Sequence, residues 1–250
     1  MNKTSNKIPK IIHYCWFGGK EKPEIVTRCI ETWRKHLSDY EIIEWNESNS
    51  DISCNLYVKQ AYESRKFAFV SDYVRVYALY QYGGVYLDTD VQVFKPFDDL
   101  LHHDSFWGFE QENYIATSTI GAAKGNNLIR LFLDSYKDKT FLQSDGEQND
   151  LTNVAVITNI LKTKGLKQNG KFQEIPSLGV FYPQTYFSPY DYINCRKFIS
   201  ENTYTMHLFY KSWLPPKARL KSSIKTVASK VIGGENIARI RKVVTGRGKT

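Results

Sequence analysis

An α/β fold of Rossmann type with a mixed central sheet is what the sequence predicts, and three observations carry that expectation. The chain opens with a strand–helix–strand succession over Lys10–Trp16, Pro23–His36 and Tyr40–Trp45. A nearly all-apolar helix, Phe67–Tyr82, stops at Gly83-Gly84 and passes directly into the β-prone run Val85-Tyr86-Leu87. That run delivers Asp88-Thr89-Asp90 to a strand's carboxyl end, where open α/β sheets bind ligands.

In order, Lys10–Trp16 is apolar enough for a buried strand, and Gly18-Gly19 permit a tight turn after it. Pro23 suits a helix start, and Ile25, Val26, Cys29, Ile30 and Trp33 then form one stripe. Tyr40–Trp45 returns as a strand, which makes a parallel crossover. Asn55–Ser64 is predicted helical. In Phe67–Tyr82, Phe69, Val70, Tyr73, Val74, Tyr77, Ala78 and Tyr80 predict burial on nearly all sides. Val91–Phe94 continues extended, Ser105–Phe109 is a further strand, and Glu110–Gly121 reads as a loop or hairpin beside the site. Helices are expected over Asn126–Tyr136 and Leu151–Leu161, with a polar loop between Lys137 and Asp150. Phe181-Tyr182-Pro183 and Phe187-Ser188-Pro189 form an aromatic, proline-rich stretch suited to sugar faces or to packing, and Thr203–Leu208 is a strand presenting His207.

At 250 residues with 42% apolar content, the chain can bury a full core as one domain. Cys15, Cys29, Cys54 and Cys195 show neither a C-x-x-C pair nor zinc-like spacing. The first residues, MNKTSNKIPK, lack an apolar leader-like run, and no stretch reaches the ~18–20 residues needed to span a bilayer. A cytoplasmic catalytic body with reduced thiols is expected. No G-x-G-x-x-G is present, so a dinucleotide cofactor is not indicated.

The net charge of +8 is concentrated at one end. Residues 217–250 hold ten Lys or Arg and one acid, Glu235, which leaves the preceding body at −1. Leu220, Ile224, Val227 and Val231 recur at helical spacing among lysines, and Ile237, Ile240 and Val244 continue beyond Gly233-Gly234. Basic amphipathic helices of this kind bind anionic membrane surfaces, while a solvated tail packed on the domain is the alternative. The expected division is a catalytic domain over 1–216 and a basic amphipathic tail over 217–250. Nucleic-acid binding is not expected of a near-neutral body.

Two carboxylates one residue apart are costly unless a cation joins them, so Asp88 and Asp90 point to a divalent metal. With 13 Asp in the chain, a bare Asp-x-Asp is expected about once by chance, so the context carries the weight. Ser71, Asp72 and Arg75 interrupt the greasy helix, and charges there need partners. Asp72 and Arg75, three apart, either form an internal pair or face a ligand. Trp16, at the end of the first strand, either stacks on a planar base or joins the core. His13 is expected in the core or behind the site, and Thr152-Asn153 as an ordinary helix start.

The block SDYVRVYALYQYGGVYLDTDV resembles the DXD block of glycosyltransferase family 32, which includes capsular-polysaccharide and yeast initiating mannosyltransferases and is related to the glucosylating domain of large clostridial toxins. The resemblance extends more loosely from Ile8–His13 to His207–Trp213. It implies a GT-A-like fold and retaining transfer from a nucleotide sugar, a UDP-sugar first among them, without a covalent nucleophile. By that resemblance Asp90 and His207 hold Mn2+ or Mg2+, with Asp88 on donor hydroxyls or on the metal through water. His207 would then have to be unprotonated, so activity is expected to fall near pH 6–6.5. The toxins carry Glu where His207 stands. Asp72 and Arg75 are placed by the likeness at the sugar, Ser71 among the donor-binding residues, Trp16 at the base, and Ser212 and Trp213 at the β-phosphate. Asn153 is a candidate for approaching the donor sugar.

The expected activity is transfer of a hexose or N-acetylhexosamine to a glycan or lipid-linked acceptor of capsular or other surface polysaccharide, on the inner face of the cell membrane. A nucleotidyltransferase acting on sugar phosphates and a non-catalytic, membrane-associated sugar-binding protein are the alternatives. Gly18-Gly19-Lys20 is a poor phosphate loop for the first of these.

Overall fold

A computed structural model of the protein describes residues 6–142, 152–192 and 196–210. In chain order the elements are β1 (Ile11–Cys15), α1 (Glu24–His36), β2 (Glu41–Trp45), α2 (Leu56–Glu63), α3 (Phe67–Tyr82), β3 (Gly84–Leu87), β4 (Val91–Val93), β5 (Ser105–Gly108) and β6 (Thr119–Ala122). They are followed by α4 (Asn127–Asp134), α5 (Asn153–Thr163), β7 (Gln173–Ile175), β8 (Gly179–Tyr182), α6 (Gln184–Phe187), β9 (Tyr190–Asp191), β10 (Arg196–Lys197) and β11 (Thr205–His207).

Seven strands form one mixed sheet in the order β2-β1-β3-β6-β5-β8-β7. β1 pairs in parallel with both β2 and β3, β6 runs antiparallel between β3 and β5, and β5 pairs in parallel with β8. The expected α/β class with a mixed central sheet and a parallel first crossover is what the chain adopts. Five strands, β2, β1, β3, β5 and β8, therefore end at one common edge.

The sheet carries a core on each face because successive side chains alternate. Tyr86, Trp107 and Phe181 pack with α2, α3, α4 and α5 on one side. Val85, Leu87, Phe106 and Val180 pack with α1, Phe97 and Tyr204 on the other.

Helix α3 has the bounds the sequence predicts. Its burial is less complete than expected, since Tyr77 and Tyr82 are exposed. Gly83 ends the helix at φ +68° and Gly84 enters β3 at φ +110°. A Cβ on Gly84 would lie 2.5 Å from the Ile11 carbonyl oxygen, so glycine is what lets β3 start against β1.

Two short ribbons stand apart from the main sheet, β9–β10 and β4–β11. In the second, His207 is in register with Val91. Helix α1 secures this ribbon: Trp33 Nε1 donates to the Val91 carbonyl at 2.7 Å and Thr32 Oγ1 accepts from Val93 N at 3.0 Å.

Three differences from the sequence reading concern strands. Thr119–Ala122, inside and just beyond the stretch read as a loop or hairpin, is a central strand. Phe181 and Tyr182 lie in β8, and β7 flanks it. Phe181 and Phe187 are core residues, so packing claims them. Helix α5 begins with Thr152 as cap, its Oγ1 accepting from Ala155 N at 3.3 Å, and Val154 is only partly buried. Cys15, Cys29 and Cys54 are free thiols. Among the described residues no helix is long and apolar enough to cross a membrane. Ser212, Trp213, Cys195, most of the loop before Asp150 and the whole of 217–250 lie outside the described residues.

His13 is a core histidine, as expected. Its Nδ1 accepts from Trp45 Nε1 at 3.1 Å, so Nε2 carries the proton and donates to the Gly83 carbonyl at 2.7 Å. Burial depresses its pKa from 6.5 to about 4. Between those values the unfolded chain binds the extra proton, so the stability contributed by neutral His13 is full above pH 6.5 and is lost as pH falls through 4. That contribution is about 3 kcal/mol. We predict that urea unfolding of the wild type weakens between pH 7 and pH 4.5 by more than that of His13→Gln, with equal pH dependences refuting the assignment.

Candidate metal and nucleotide-sugar site

The end of β3 places Asp88 at the common edge of the sheet. Its backbone is fixed there, because Asp88 N donates to the Ser118 carbonyl at 2.9 Å and its own carbonyl accepts from Val91 N at 3.0 Å. The chain turns through Thr89 into β4, so Asp88 closes the main sheet while Asp90 opens the β4–β11 ribbon. His207 Nε2 lies 3.2 Å from Asp90 Oδ1, across the ribbon. Ligand atoms of Asp88, Asp90 and His207 all lie within 4.8 Å of one another.

Asp90 and His207 are mostly buried. Asp90 Oδ2 accepts from Tyr210 N at 2.7 Å, and the Asp90 carbonyl accepts from Leu208 N at 3.0 Å. Burial disfavours the charged carboxylate, but His207 and the Tyr210 N–H outweigh it and hold Asp90 below the ordinary carboxylate range. Burial also works against a protonated His207. Asp90, with Asp88 and Glu110 beyond it, overcomes that and holds the imidazole up to about 9. This moves the competition between proton and metal upward from the pH 6–6.5 expected of an unperturbed imidazole.

Arg75 reaches the site from α3. Its Nη2 lies 2.9 Å from Asp72 Oδ1 and 3.2 Å from Asp88 Oδ1. Nη1 donates to the Thr117 carbonyl at 2.8 Å and lies 3.4 and 3.5 Å from Thr117 Oγ1 and Asp88 Oδ2, while Nε donates to the Ser71 carbonyl at 3.2 Å. All faces of the guanidinium fork are engaged, and the Tyr86 ring lies beneath it at 4.6 Å. The internal Asp72–Arg75 pair that the sequence allowed is therefore present, and it extends to Asp88. Tyr86 Oη adds a hydrogen bond to Asp88 Oδ1 at 2.9 Å.

Burial and the nearby Asp88 push Asp72 up to about 6, against the pull of Arg75. Ser71 Oγ donates to the Phe67 carbonyl at 3.0 Å. Asn153 is buried; its Nδ2 donates to the Asp72 carbonyl at 3.1 Å and its Oδ1 accepts from Tyr136 Oη. These bonds tie α5 to α3 behind Asp72. Trp16 follows β1 at the same sheet edge, half-buried, with Nε1 donating to the Lys20 carbonyl at 2.6 Å.

The sequence reading named no role for Glu110, which follows β5 and faces His207 and Asp88; burial pushes its carboxyl up to about 7. Lys139 also went unremarked. Its ammonium sits over the Tyr57 and Tyr136 rings at 4.7 and 5.1 Å and is drawn toward Asp72. The signal for Glu110 was an acid directly after a buried strand, SFWGFE, at the end where ligands bind.

The donor set suits a divalent cation. Two carboxylates and one imidazole match Mn2+ or Mg2+ with positions left for oxygen ligands. His207 Nδ1 is buried with no hydrogen-bond partner, so the ring is not committed to a purely structural network.

Since the His207 proton must leave before the ring can ligate, we predict that Mn2+ affinity rises about tenfold per pH unit between pH 6 and pH 8.5. Calorimetry in buffers of different ionisation enthalpy should show about one proton released per Mn2+ bound at pH 7.5. An affinity flat across that range excludes His207 as a ligand. Arg75→Lys keeps the charge but cannot serve Asp72, Asp88 and Thr117 together. We predict a loss of about 1–3 kcal/mol in urea unfolding, and an unchanged unfolding midpoint would remove Arg75 from its positioning role.

Residues 23–107 match the family model described as the glycosyltransferase sugar-binding region containing a DXD motif. Inositol phosphoceramide mannosyltransferase 3 of Schizosaccharomyces pombe is 33% identical over 132 residues, covering 51% of this chain and 37% of that protein. Inositol phosphoceramide mannosyltransferase 1 of the same yeast is 31% identical over 109 residues, covering 40% and 33%. The chain thus spans about a third of the length of these curated relatives. Among solved structures, the PaToxG glycosyltransferase overlaps at a TM-score of 0.46 with 22% identity, covering 63% of this chain and 70% of that one, too partial a likeness to carry weight. Asp72, Arg75, Asp88 and Asp90 fall inside the stretch that matches the DXD sugar-binding model, whereas Glu110 and His207 lie beyond it.

Proposed function

We propose that the protein is a metal-dependent, retaining glycosyltransferase that moves a hexose or N-acetylhexosamine from a nucleotide sugar to a glycan or glycolipid acceptor. The observation that carries this reading is the convergence of Asp88, Asp90 and His207 at the sheet edge, within the reach of one ion. The DXD region supports it from sequence. The mannosyltransferase names of the yeast relatives favour a glycolipid acceptor and bring GDP-mannose beside the UDP-sugars as donor. Membership of glycosyltransferase family 32 and a role in capsular or other surface polysaccharide are part of the same proposal.

In this reading Asp90 and His207 would hold Mn2+ or Mg2+, which when bound would supply Lewis-acid stabilisation of the departing diphosphate. Asp88 takes donor hydroxyls on the oxygen facing away from Tyr86, or meets the metal through water. Arg75 acts as a positioning residue, keeping Asp72 and Asp88 aimed while Asp72 takes a sugar hydroxyl. Ser71 holds the Arg75 end of that arrangement through its carbonyl. Trp16 stacks on the nucleotide base, and Asn153 stands behind the donor sugar. Ser212 and Trp213 would donate to the β-phosphate as negative charge develops there. The basic tail 217–250 would lie on an anionic membrane surface, with residues 1–216 forming a cytoplasmic, peripheral catalytic domain.

The deciding experiment incubates the full chain with Mn2+ and UDP- or GDP-sugars and follows the nucleotide product. Release of UDP or GDP is expected. Pyrophosphate would mark a nucleotidyltransferase instead, and binding without turnover a sugar-binding protein. Asp90→Ala should lower nucleotide release at least about 100-fold without changing the circular dichroism spectrum. Full activity in that variant, or in excess EDTA, defeats the metal assignment.

A further inference from the structure

The sheet edge holds one acid more than the diphosphate chemistry uses. Glu110 is set there by the backbone: Phe109 N donates to the Tyr182 carbonyl at 2.9 Å, Glu110 N donates to the Tyr114 carbonyl at 2.7 Å, and the Glu110 carbonyl accepts from Asn113 N at 3.0 Å. Phe109 also bridges to Ile115. The side chain therefore leaves a pinned turn at the end of a central strand. The charged groups whose field its carboxyl feels are His207 and Asp88.

Position across the edge supplies the direction. Trp16 follows β1, Asp88 follows β3 and Glu110 follows β5, in the spatial order β1-β3-β6-β5. If the base lies at Trp16 and the diphosphate at Asp88 and Asp90, the donor occupies the β1–β3 half of the edge. The β5 half is then where a second substrate must approach. In its charged form the carboxyl accepts hydrogen bonds from hydroxyls and repels a phosphate, so its placement suits a sugar better than the nucleotide.

We propose that Glu110 is the acceptor-side carboxylate of this site, accepting a hydrogen bond from a hydroxyl of the incoming sugar and holding that hydroxyl toward the donor. It forms no bond to carbon. The inference rests on the glycosyl-transfer reading above and deepens it by naming the acceptor side and the group recognised there, a sugar hydroxyl.

The test uses the full chain with Mn2+, whichever nucleotide sugar gives nucleotide release, and methyl α-glycosides of mannose, glucose and galactose as acceptor probes. Wild type, Glu110→Gln and Glu110→Met are compared for the KM of the glycoside and for Mn2+ and UDP or GDP affinity by calorimetry. A charged hydrogen bond lost from acceptor binding should raise KM about tenfold or more in Glu110→Met and less in Glu110→Gln, which keeps a carbonyl acceptor. Mn2+ and nucleotide affinities should change by clearly less than the glycoside KM, because Glu110 reaches the ion only through its charge on His207 and Asp88. An unchanged KM overturns the proposal. So does a parallel loss of Mn2+ affinity, which would make Glu110 a metal ligand, and so does a wild type whose nucleotide release responds to none of the glycosides. A wild type that releases no nucleotide from any donor overturns the transfer reading itself, and the Glu110 role falls with it.

Discussion

One guanidinium makes this sheet edge possible. Arg75 is 5% exposed and bridges Asp72 on its own helix to Asp88 on the neighbouring strand. A buried ion pair adds little net stability, because desolvation of both charges offsets their attraction. Its worth here is geometric. Five N–H groups in a plane fix two carboxylates and the Thr117 carbonyl relative to each other, which three independently rotating ammonium protons could not do. The rest of α3 follows from this requirement. Its apolar residues seat it against β1 and β3, so that the fork arrives at the strand end, and Gly83-Gly84 let β3 begin immediately where the helix stops.

The protons held by the site describe its charge balance. Asp72 and Glu110 are raised because burial disfavours their charged forms, and His207 is raised because Asp90 outweighs burial. Asp90 alone moves the other way. The excess negative charge of the four carboxyl groups is thus reflected in raised proton affinity at two of them, Asp72 and Glu110, and at His207. A divalent cation addresses the same excess, so metal and protons compete for one electrostatic deficit.

Local pattern told much of this in advance, but not all. The bounds of α3 were legible because a long apolar run ended on two glycines, and β1–α1–β2 because strand and helix periods alternated cleanly. Strand β6 was not. Thr119-Ile120-Gly121-Ala122 is short and small, and Gly121 serves only to admit the Phe106 ring, whose nearest atom would lie 2.0 Å from a Cβ there. That close approach is a tertiary fact with no local signature. Glu110 was overlooked for a related reason: an acid after a strand has meaning only once neighbouring strands show which groups share its edge. His207 could be linked to Asp90 only through family likeness, since 117 residues separate them and the β4–β11 pairing leaves no mark in either segment.

The spacing of Asp88 and Asp90 acquires a physical reason from the two sheets that meet between them. Asp88 terminates β3 and is bonded to Ser118, which precedes β6, so it belongs to the main sheet. Asp90 precedes β4 and is bonded to Leu208 and Tyr210, which follow β11, so it belongs to the ribbon. With one residue between them, the two carboxylates can face a common point while their backbones join different hydrogen-bond ladders. Directly adjacent residues in an extended chain would point to opposite faces, and a longer turn would release the ribbon from the sheet. The ribbon is in turn held by Trp33 and Thr32 of α1, the helix that links β1 to β2. The three candidate ligands therefore stand on two backbone frames fastened by one crossover helix, and what fixes their separation is the junction of the frames more than any bond among the ligands themselves.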